Sequence, residues 1–276
     1  MKRLAWLIVG YATLVFFALV FLYPFVIQLS GTFKTEPDAS ARPLAPFPDP
    51  FTTGSFVRMF ESTDFPRWLL NSVLVALVVT IGRVFLDSLA GYALARLRFG
   101  GRAAIFATIV AMMSVPGVVL LIPKFLVLKQ VGIYDSYAAL ILPLIVDATG
   151  VFIMKQSFES VPVYVEEAAR IDGAGIFRTY WSVVLPMIRP ALLTLTILSF
   201  QSSWNEFPHT LVAVQSPDLF TLPRGLADLV SGSLGAGTQY PLKLGAALVA
   251  TVPVAVVFIA FQRYFVRGAT EGGVKG

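Results

Sequence analysis

Long apolar runs separated by polar segments dominate the pattern along this chain. None alternates with the period of two that a membrane β-strand shows over about ten residues, so the runs predict helices. Each is about 20 residues long, which is enough to cross a hydrocarbon layer. The predicted spans cover residues 4–29, 68–94, 103–124, 137–155, 187–203 and 244–262. The pattern therefore predicts an all-α integral membrane protein, a single domain of six spans over residues 1–276.

Prolines and the first apolar run refine this prediction. The first run exceeds the short apolar core of a signal peptide, so we expect it to be a retained helix. Pro116-Gly117 and Pro123 should interrupt the third span, and Pro143 lies within the fourth. Six prolines fall in the segment Ser30–Arg67, five of them between residues 37 and 50, which predicts an external loop with no long helix. A second long loop, Asn205–Lys243, is rich in Gly, Pro and Ser.

The basic residues lie at the ends of the apolar runs, where they predict orientation in a membrane. With the N-terminus inside, twelve Lys and Arg fall in short inner segments and eight in longer outer ones, while Arg83 lies within a span. Both termini of the multi-pass protein are then cytoplasmic. The net charge of +5 forms no stripe that would follow a nucleic-acid backbone.

Composition agrees with a membrane protein and excludes several kinds of site. Hydrophobic residues make up 57% and charged residues 13% of the chain, whereas a soluble domain has about 25% charged residues. The mean hydropathy is +0.77. With no cysteine and one histidine, His209, disulfides and Cys- or His-rich metal centres are excluded.

Away from the span ends, three charged residues lie within predicted spans, where charges are costly and mark either a pathway or a pair. Arg83 and Asp87 are four residues apart and share one helix face. They form either a mutually neutralising pair inside the bundle or part of a translocation route. Asp147 has no local partner and faces either that route or a neighbouring helix.

A polar inner segment, residues 156–186, contains the most informative pattern. Ser160 can cap a short helix that begins near Pro162, and Asp172-Gly173 stops it because glycine supplies a left-handed turn. Tyr164, Ala168 and Ile171 share one face at helical spacing, and Glu166 can pair with Arg170. This short amphipathic helix either inserts into a groove of another protein or lies on the lipid headgroups.

Several motifs in this chain resemble those of a known family. Glu167-Ala168-Ala169, Asp172-Gly173-Ala174 and Leu185-Pro186 closely match the "EAA" loop of binding-protein-dependent ABC transporter permeases. Three further stretches resemble its sugar-importing, maltose-type branch: Trp204-Asn205-Glu206-Phe207, Phe261-Gln262-Arg263-Tyr264 and the tail Gly268–Gly276.

The resemblance implies a six-helix ABC importer permease with a cytoplasmic coupling helix seated in a cleft of a separate ATPase. It also implies a second homologous permease, two ATPase subunits and an extracytoplasmic sugar-binding protein as partners. The chain has no GxxxxGK[ST] phosphate loop, so ATP and Mg would be bound by the ATPase and this chain would be no enzyme. The implied coupling residues are Glu166, Glu167, Ala168, Ala169, Arg170, Asp172, Gly173 and Ala174.

The candidate substrate pathway comprises Trp204, Asn205 and Glu206, together with Asp147. Sugar sites combine an aromatic platform with amides and carboxylates, although an aromatic belt at a helix end gives the same pattern. A secondary transporter would need more ionisable residues within its spans, and internal repeats. An intramembrane serine protease would need a nucleophile beside a base, and we expect His209 to be an ordinary loop residue.

Overall fold

The computed structural model describes residues 2–231 and 239–272, with side chains for 6–231 and 239–261. Within these ranges every regular element is a helix. The side chains of Gln262, Arg263 and Tyr264, and the tail after residue 272, lie outside the described residues. The α-helices are α1 Lys2–Thr32, α2 Glu36–Ala41, α3 Gly54–Ser62, α4 Phe65–Arg96, α5 Arg102–Met113, α6 Leu121–Val131, α7 Tyr137–Ile141, α8 Ala148–Glu159, α9 Val163–Ile171, α10 Ile176–Arg178, α11 Leu185–Met187, α12 Arg189–Trp204, α13 Pro208–Ala213, α14 Leu222–Ser231 and α15 Tyr240–Gly272.

Four stretches among the described residues are single helices, or nearly so, that are long and apolar enough to cross a membrane. Two further spans are helix pairs with sharp bends, 102° between Arg102–Met113 and Gly117–Val131, and 85° between Ile176–Met187 and Arg189–Trp204. The count is therefore four, or six if each bent pair is one span. The first break follows Pro116, as the sequence predicted. The single stretches are Trp6–Thr32, Phe65–Arg96, Tyr137–Glu159 and Tyr240–Phe261.

One compact unit comprises residues 1–66 and 225–253. As predicted, its proline-rich segment forms no long helix, because α2 and α3 have only six and nine residues. The Thr35 side chain caps α2 by accepting a hydrogen bond from the backbone N–H of Asp38 at 3.4 Å. The Asp38 carboxylate accepts hydrogen bonds from the Asp49 backbone N–H and from Arg42, and these lower its pKa. The segment between α1 and α4 is thus folded and is not an open loop.

The other unit comprises residues 67–224 and 254–276. Here α4 and α8 approach so closely that only glycine fits at the contact. A Cβ placed on Gly91 would lie 2.6 Å from the Met154 Cβ and 2.8 Å from the Lys155 backbone nitrogen. Close approach of small residues is how membrane helices gain packing energy without a hydrophobic driving force. This contact holds the C-terminal halves of the two helices against each other.

The polar segment that we predicted over residues 156–186 is more helical than expected. Helix α8 continues to Glu159, and Ser160 ends it, so Ser160 is not the N-cap of the following helix. That position is taken by Pro162, which makes no side-chain cap hydrogen bond. A second helical stretch, Ile176–Met187, precedes the fifth span and contains a π-helical turn at Thr179–Val184. Helix α9 is therefore a short separate helix between these two helical stretches.

Candidate functional site

Helix α9 ends in a Schellman motif that matches the predicted Asp172-Gly173 stop. Gly173 has φ +80°, and its N–H donates to the Arg170 carbonyl at 3.0 Å. The Ala174 N–H donates back to the Ala169 carbonyl at 2.9 Å, which completes the motif. Nothing lies within 4 Å of a Cβ built on Gly173, so the left-handed backbone alone favours glycine there. This turn sets the direction in which the chain leaves α9.

The two faces of α9 have opposite environments. Glu166 and Ala169 are buried against the rest of the unit. The opposite face, Tyr164, Glu167, Ala168 and Ile171, is exposed, and Ile171 is 87% exposed. These four positions follow the i, i+3, i+4, i+7 pattern of an amphipathic helix. We call them the exposed face of α9, and they include the three residues predicted to share a face.

Glu166 ties α9 to the end of α4. Its Oε1 lies 2.8 Å from Arg96 Nε, and its Oε2 accepts a hydrogen bond from the Tyr92 hydroxyl at 3.3 Å. Arg170 is also close, with a guanidinium nitrogen 4.0 Å from Glu166 Oε2, as the i,i+4 spacing predicted. The Glu166 side chain is only 4% exposed. Glu166 is therefore used inside the subunit, whereas Glu167 lies on the exposed face of α9.

Arg96 extends this anchor to a third helix. Besides meeting Glu166, its guanidinium donates to the backbone carbonyls of Phe158, at 2.5 Å, and Val161. These carbonyls lie at the end of α8 and in the turn before α9, and that of Phe158 also accepts the Val161 N–H at 3.2 Å. One buried cation therefore joins the ends of α4 and α8 to the middle of α9.

An aromatic cluster packs beside the residues that hold α9. The Tyr92 ring lies 5.3 Å from that of Phe158 and 5.1 Å from that of Tyr180. The Tyr180 and Ser88 hydroxyls are 2.7 Å apart, so the phenol is hydrogen-bonded within the core. Two neighbouring aromatic residues, Phe177 and Trp181, are instead largely exposed. The residues that hold α9 therefore belong to a close-packed aromatic cluster.

The fourth span is broken at residues 145–147, and α4 holds both sides of the break. On one side, Arg83 Nε donates to the Leu144 carbonyl at 2.5 Å. On the other, the Asp147 N–H donates to Asp87 Oδ1 at 3.1 Å. A break inside a bilayer frees backbone groups that water cannot reach, so other parts of the protein must satisfy them. We call Arg83 and Asp87 the break clamp.

The break clamp changes two predictions. Arg83 and Asp87 make no direct ion pair among the described residues, and each instead binds a backbone group at the break. Asp147 does have local partners, because its Oδ2 accepts the Gly150 N–H at 3.1 Å and caps α8. A Cβ on Gly150 would lie 2.1 Å from Asp87 Oδ2, so glycine makes room for the carboxylate. These carboxylates therefore hold the helices together.

The predicted cluster at residues 204–206 does not form one surface. The Trp204 side chain is buried, and its ring stacks on Phe200 with centroids 5.7 Å apart, so it offers no open face. Glu206 Oε1 accepts the His209 N–H at 2.9 Å and holds the start of α13. Burial lowers the pKa of His209, and its Nε2 lies 2.9 Å from the Ala139 carbonyl. Of the predicted cluster, only Asn205 is exposed.

Helix α12 instead presents a set of exposed polar residues that the sequence analysis missed. We call them the polar stripe: Thr194, Gln201, Ser202 and Asn205. Their spacing of seven, eight and eleven residues from Thr194 keeps them on one face. The Gln201, Ser202 and Asn205 side chains make no hydrogen bond with any described residue. The signal that could have revealed them was this helical spacing of amides and hydroxyls within an apolar run.

Comparison with known proteins identifies the family. The model of the binding-protein-dependent transport system inner membrane component matches residues 87–271, about two thirds of the chain. The chain belongs to this family. The match begins at Asp87, within the break clamp, and it includes α9 and the polar stripe. The chain is accordingly a multi-pass membrane component of a transport system, and not an enzyme.

Full-length relatives and a solved structure agree with this membership. The arabinooligosaccharides transport system permease protein AraQ of Halalkalibacterium halodurans is 33% identical over 99% of this permease and 97% of its own length. The sulfoquinovosyl glycerol transport system permease protein SmoH of Agrobacterium fabrum is 35% identical over 92% and 89%. A chain of a bacterial ABC transporter that imports alginate has the same fold, with a TM-score of 0.83, 24% identity and coverage of 96% and 98%.

Proposed function

We propose that this permease imports a sugar or sugar derivative and that α9 couples its spans to a separate ATPase. The exposed face of α9, held by a buried Glu166–Arg96 pair, is the observation that carries the proposal. Anchoring leaves the helix no freedom to bury Ile171 within its own subunit. An exposed amphipathic face on a fixed helix fits a groove in a partner protein. The cargo class follows from the relatives, whose names specify arabinooligosaccharides and sulfoquinovosyl glycerol.

The alternative for α9, a helix lying on lipid headgroups, fits the exposed face less well. Such helices carry bulky apolar anchors together with Lys and Arg on the polar face. Here the exposed face includes the small Ala168 and the acidic Glu167, which anionic headgroups would repel. We therefore assign the exposed face of α9 to an ATPase subunit. Two such subunits, a second homologous permease and an extracytoplasmic sugar-binding protein complete the proposed transporter.

The orientation follows from the basic residues, and the pathway follows from the polar stripe. Both termini and α9 lie in the cytoplasm, and the segment Ser30–Arg67 lies outside. Neutral amides and hydroxyls are costly against lipid, whereas they suit a water-filled route and the hydroxyls of a sugar. We therefore propose that Gln201, Ser202 and Asn205 line the translocation pathway, in place of Trp204, Glu206 and Asp147.

Single cysteines in this cysteine-free chain should report both orientation and pathway. In intact cells a membrane-impermeant thiol reagent should label Ser40→Cys but not Ser160→Cys, since both positions are exposed but on opposite sides. The reverse pattern would invert the proposed orientation.

In the assembled transporter, a small water-soluble thiol reagent should label Ser202→Cys, and the transported sugar should slow the reaction. The matched control is Thr13→Cys, an exposed hydroxyl position on α1 that we expect to face lipid. Equal labelling of both, or no labelling of Ser202→Cys, would remove the polar stripe from the pathway.

Reconstitution tests the transport function directly. Proteoliposomes with this permease alone should show neither ATP hydrolysis nor sugar uptake. Adding its second permease, ATPase and loaded binding protein should give uptake that requires ATP. The measurement is accumulation of a radiolabelled pentose oligosaccharide or hexose derivative, with inside-trapped ATP and with a non-hydrolysable analogue as control. Uptake by the single subunit would refute the heteromeric proposal.

A further inference from the structure

A cavity of about 560 Å³ lies between α9 and the turn that joins α4 to α5. We call it the arginine pocket, because Arg98 and Arg102 come from the turn and Arg170 comes from α9. Arg96, Glu166 and Glu167 complete its charged lining. Both walls belong to the same compact unit, and one wall is the helix that we assign to the ATPase.

The charges in this pocket do not balance. Glu166 is already committed to Arg96, at 2.8 Å. Arg102 donates to the carbonyls of Ala95 and Leu97 and lies 4.0 Å from Glu159, so it closes the turn. Arg98 is exposed and makes no hydrogen bond or ion pair with any described residue. Arg170 is 58% exposed and only 4.0 Å from the committed Glu166. Of the lining carboxylates only Glu167 is left to balance Arg98 and Arg170, so the lining keeps a net positive charge.

We infer that the arginine pocket receives an acidic side chain of the ATPase subunit that docks on α9. The inference rests on the proposed coupling role of α9. A guanidinium binds a carboxylate through paired hydrogen bonds, so two of them facing a cavity suit one or two carboxylates. Docking would thus combine an apolar contact on the exposed face of α9 with an ionic contact in the neighbouring pocket.

The lining favours a protein carboxylate over an anionic lipid. A bound lipid needs an apolar wall that continues from its headgroup site, whereas charged side chains dominate this pocket. The aromatic side chains of the same region, Phe99 and Phe106, line a separate cavity on the other side of Arg102.

Charge reversal at Arg98 tests the inference in the complete transporter. Arg98→Glu should weaken retention of the ATPase about tenfold, because a like charge then meets the carboxylate. Arg98→Gln should fall between this variant and the wild type. The matched control is Arg178→Glu, which makes the same charge change at an exposed position outside the pocket and should bind normally. The measurement is titration of detergent-solubilised permease pairs with the purified ATPase at several salt concentrations.

Three outcomes would overturn the inference. Wild-type binding by Arg98→Glu would show that the pocket is not used, and equal weakening by Arg178→Glu would show only a general charge effect. A defect seen in nanodiscs with phosphatidylglycerol but absent in pure phosphatidylcholine would assign the pocket to a lipid. Each leaves the coupling role of α9 standing if a substitution on its exposed face still abolishes ATPase binding.

Discussion

Replacing Ile171 by aspartate should leave the permease in the membrane at normal abundance and stop transport. The Ile171 side chain is 87% exposed, so the free subunit gains almost nothing from it. Substitutions at such surface positions change stability by about 0.5 kcal/mol or less. In the docked complex the same position would place an unpaired carboxylate in an apolar contact. A cost of about 3 kcal/mol there corresponds to roughly 100-fold weaker binding of the ATPase.

Ile171→Leu is the matched control, because it keeps the apolar contact and should transport normally. Three quantities separate the causes of a defect: membrane abundance, co-purification of the ATPase, and ATP hydrolysis stimulated by the loaded binding protein. A fall in abundance of Ile171→Asp would indicate a folding defect. Normal transport by Ile171→Asp would mean that the exposed face of α9 does not dock on an ATPase.

Removing the carboxylate of Asp87 should lower the stability of the solubilised permease. Asp87→Ala leaves the Asp147 N–H without an acceptor at the break in the fourth span. A buried donor without an acceptor costs about 1–3 kcal/mol, so we expect a loss of about 2 kcal/mol. The freed N–H has no water to turn to, because the position of Asp87 is fully buried.

Asp87→Asn separates the hydrogen bond from the charge. Its amide oxygen can still accept the Asp147 N–H, so most of the stability should return. The measurement is the thermal unfolding midpoint in a mild detergent, followed by intrinsic tryptophan fluorescence. If Asp87→Asn were as unstable as Asp87→Ala, the negative charge itself, and not the acceptor, would hold the break.

Hydropathy located the spans but not their shapes. The second span was predicted at 68–94 and is Phe65–Arg96, because a continuous apolar run needs no tertiary information. The third was predicted as one segment of residues 103–124 and is instead a pair of helices bent by 102°. Prolines indicated the interruption, but the angle depends on what packs against each half. The same holds for the 85° bend before Arg189.

The candidate site shows a similar limit. The motif at 166–174 predicted a helix, its stop at Gly173 and its apolar stripe, all of which depend on local spacing. It could not separate Glu166 from Glu167, which are adjacent and chemically alike. Which carboxylate turns inward is decided by Arg96, seventy residues earlier in the chain. The sequence alone does not show which of the two carboxylates lies near Arg96 in space.

The contacts of Arg96 have a mechanical consequence. Since one guanidinium contacts α9, the end of α8 and the end of α4, we expect these three parts to move together as one rigid unit. A displacement of α9 would then also displace the adjoining ends of α4 and α8. The flexing needed to open a passage must occur farther along, where the helices are already interrupted. The break at residues 145–147 and the bend at Ile188 are the positions where we expect such a rigid unit to hinge.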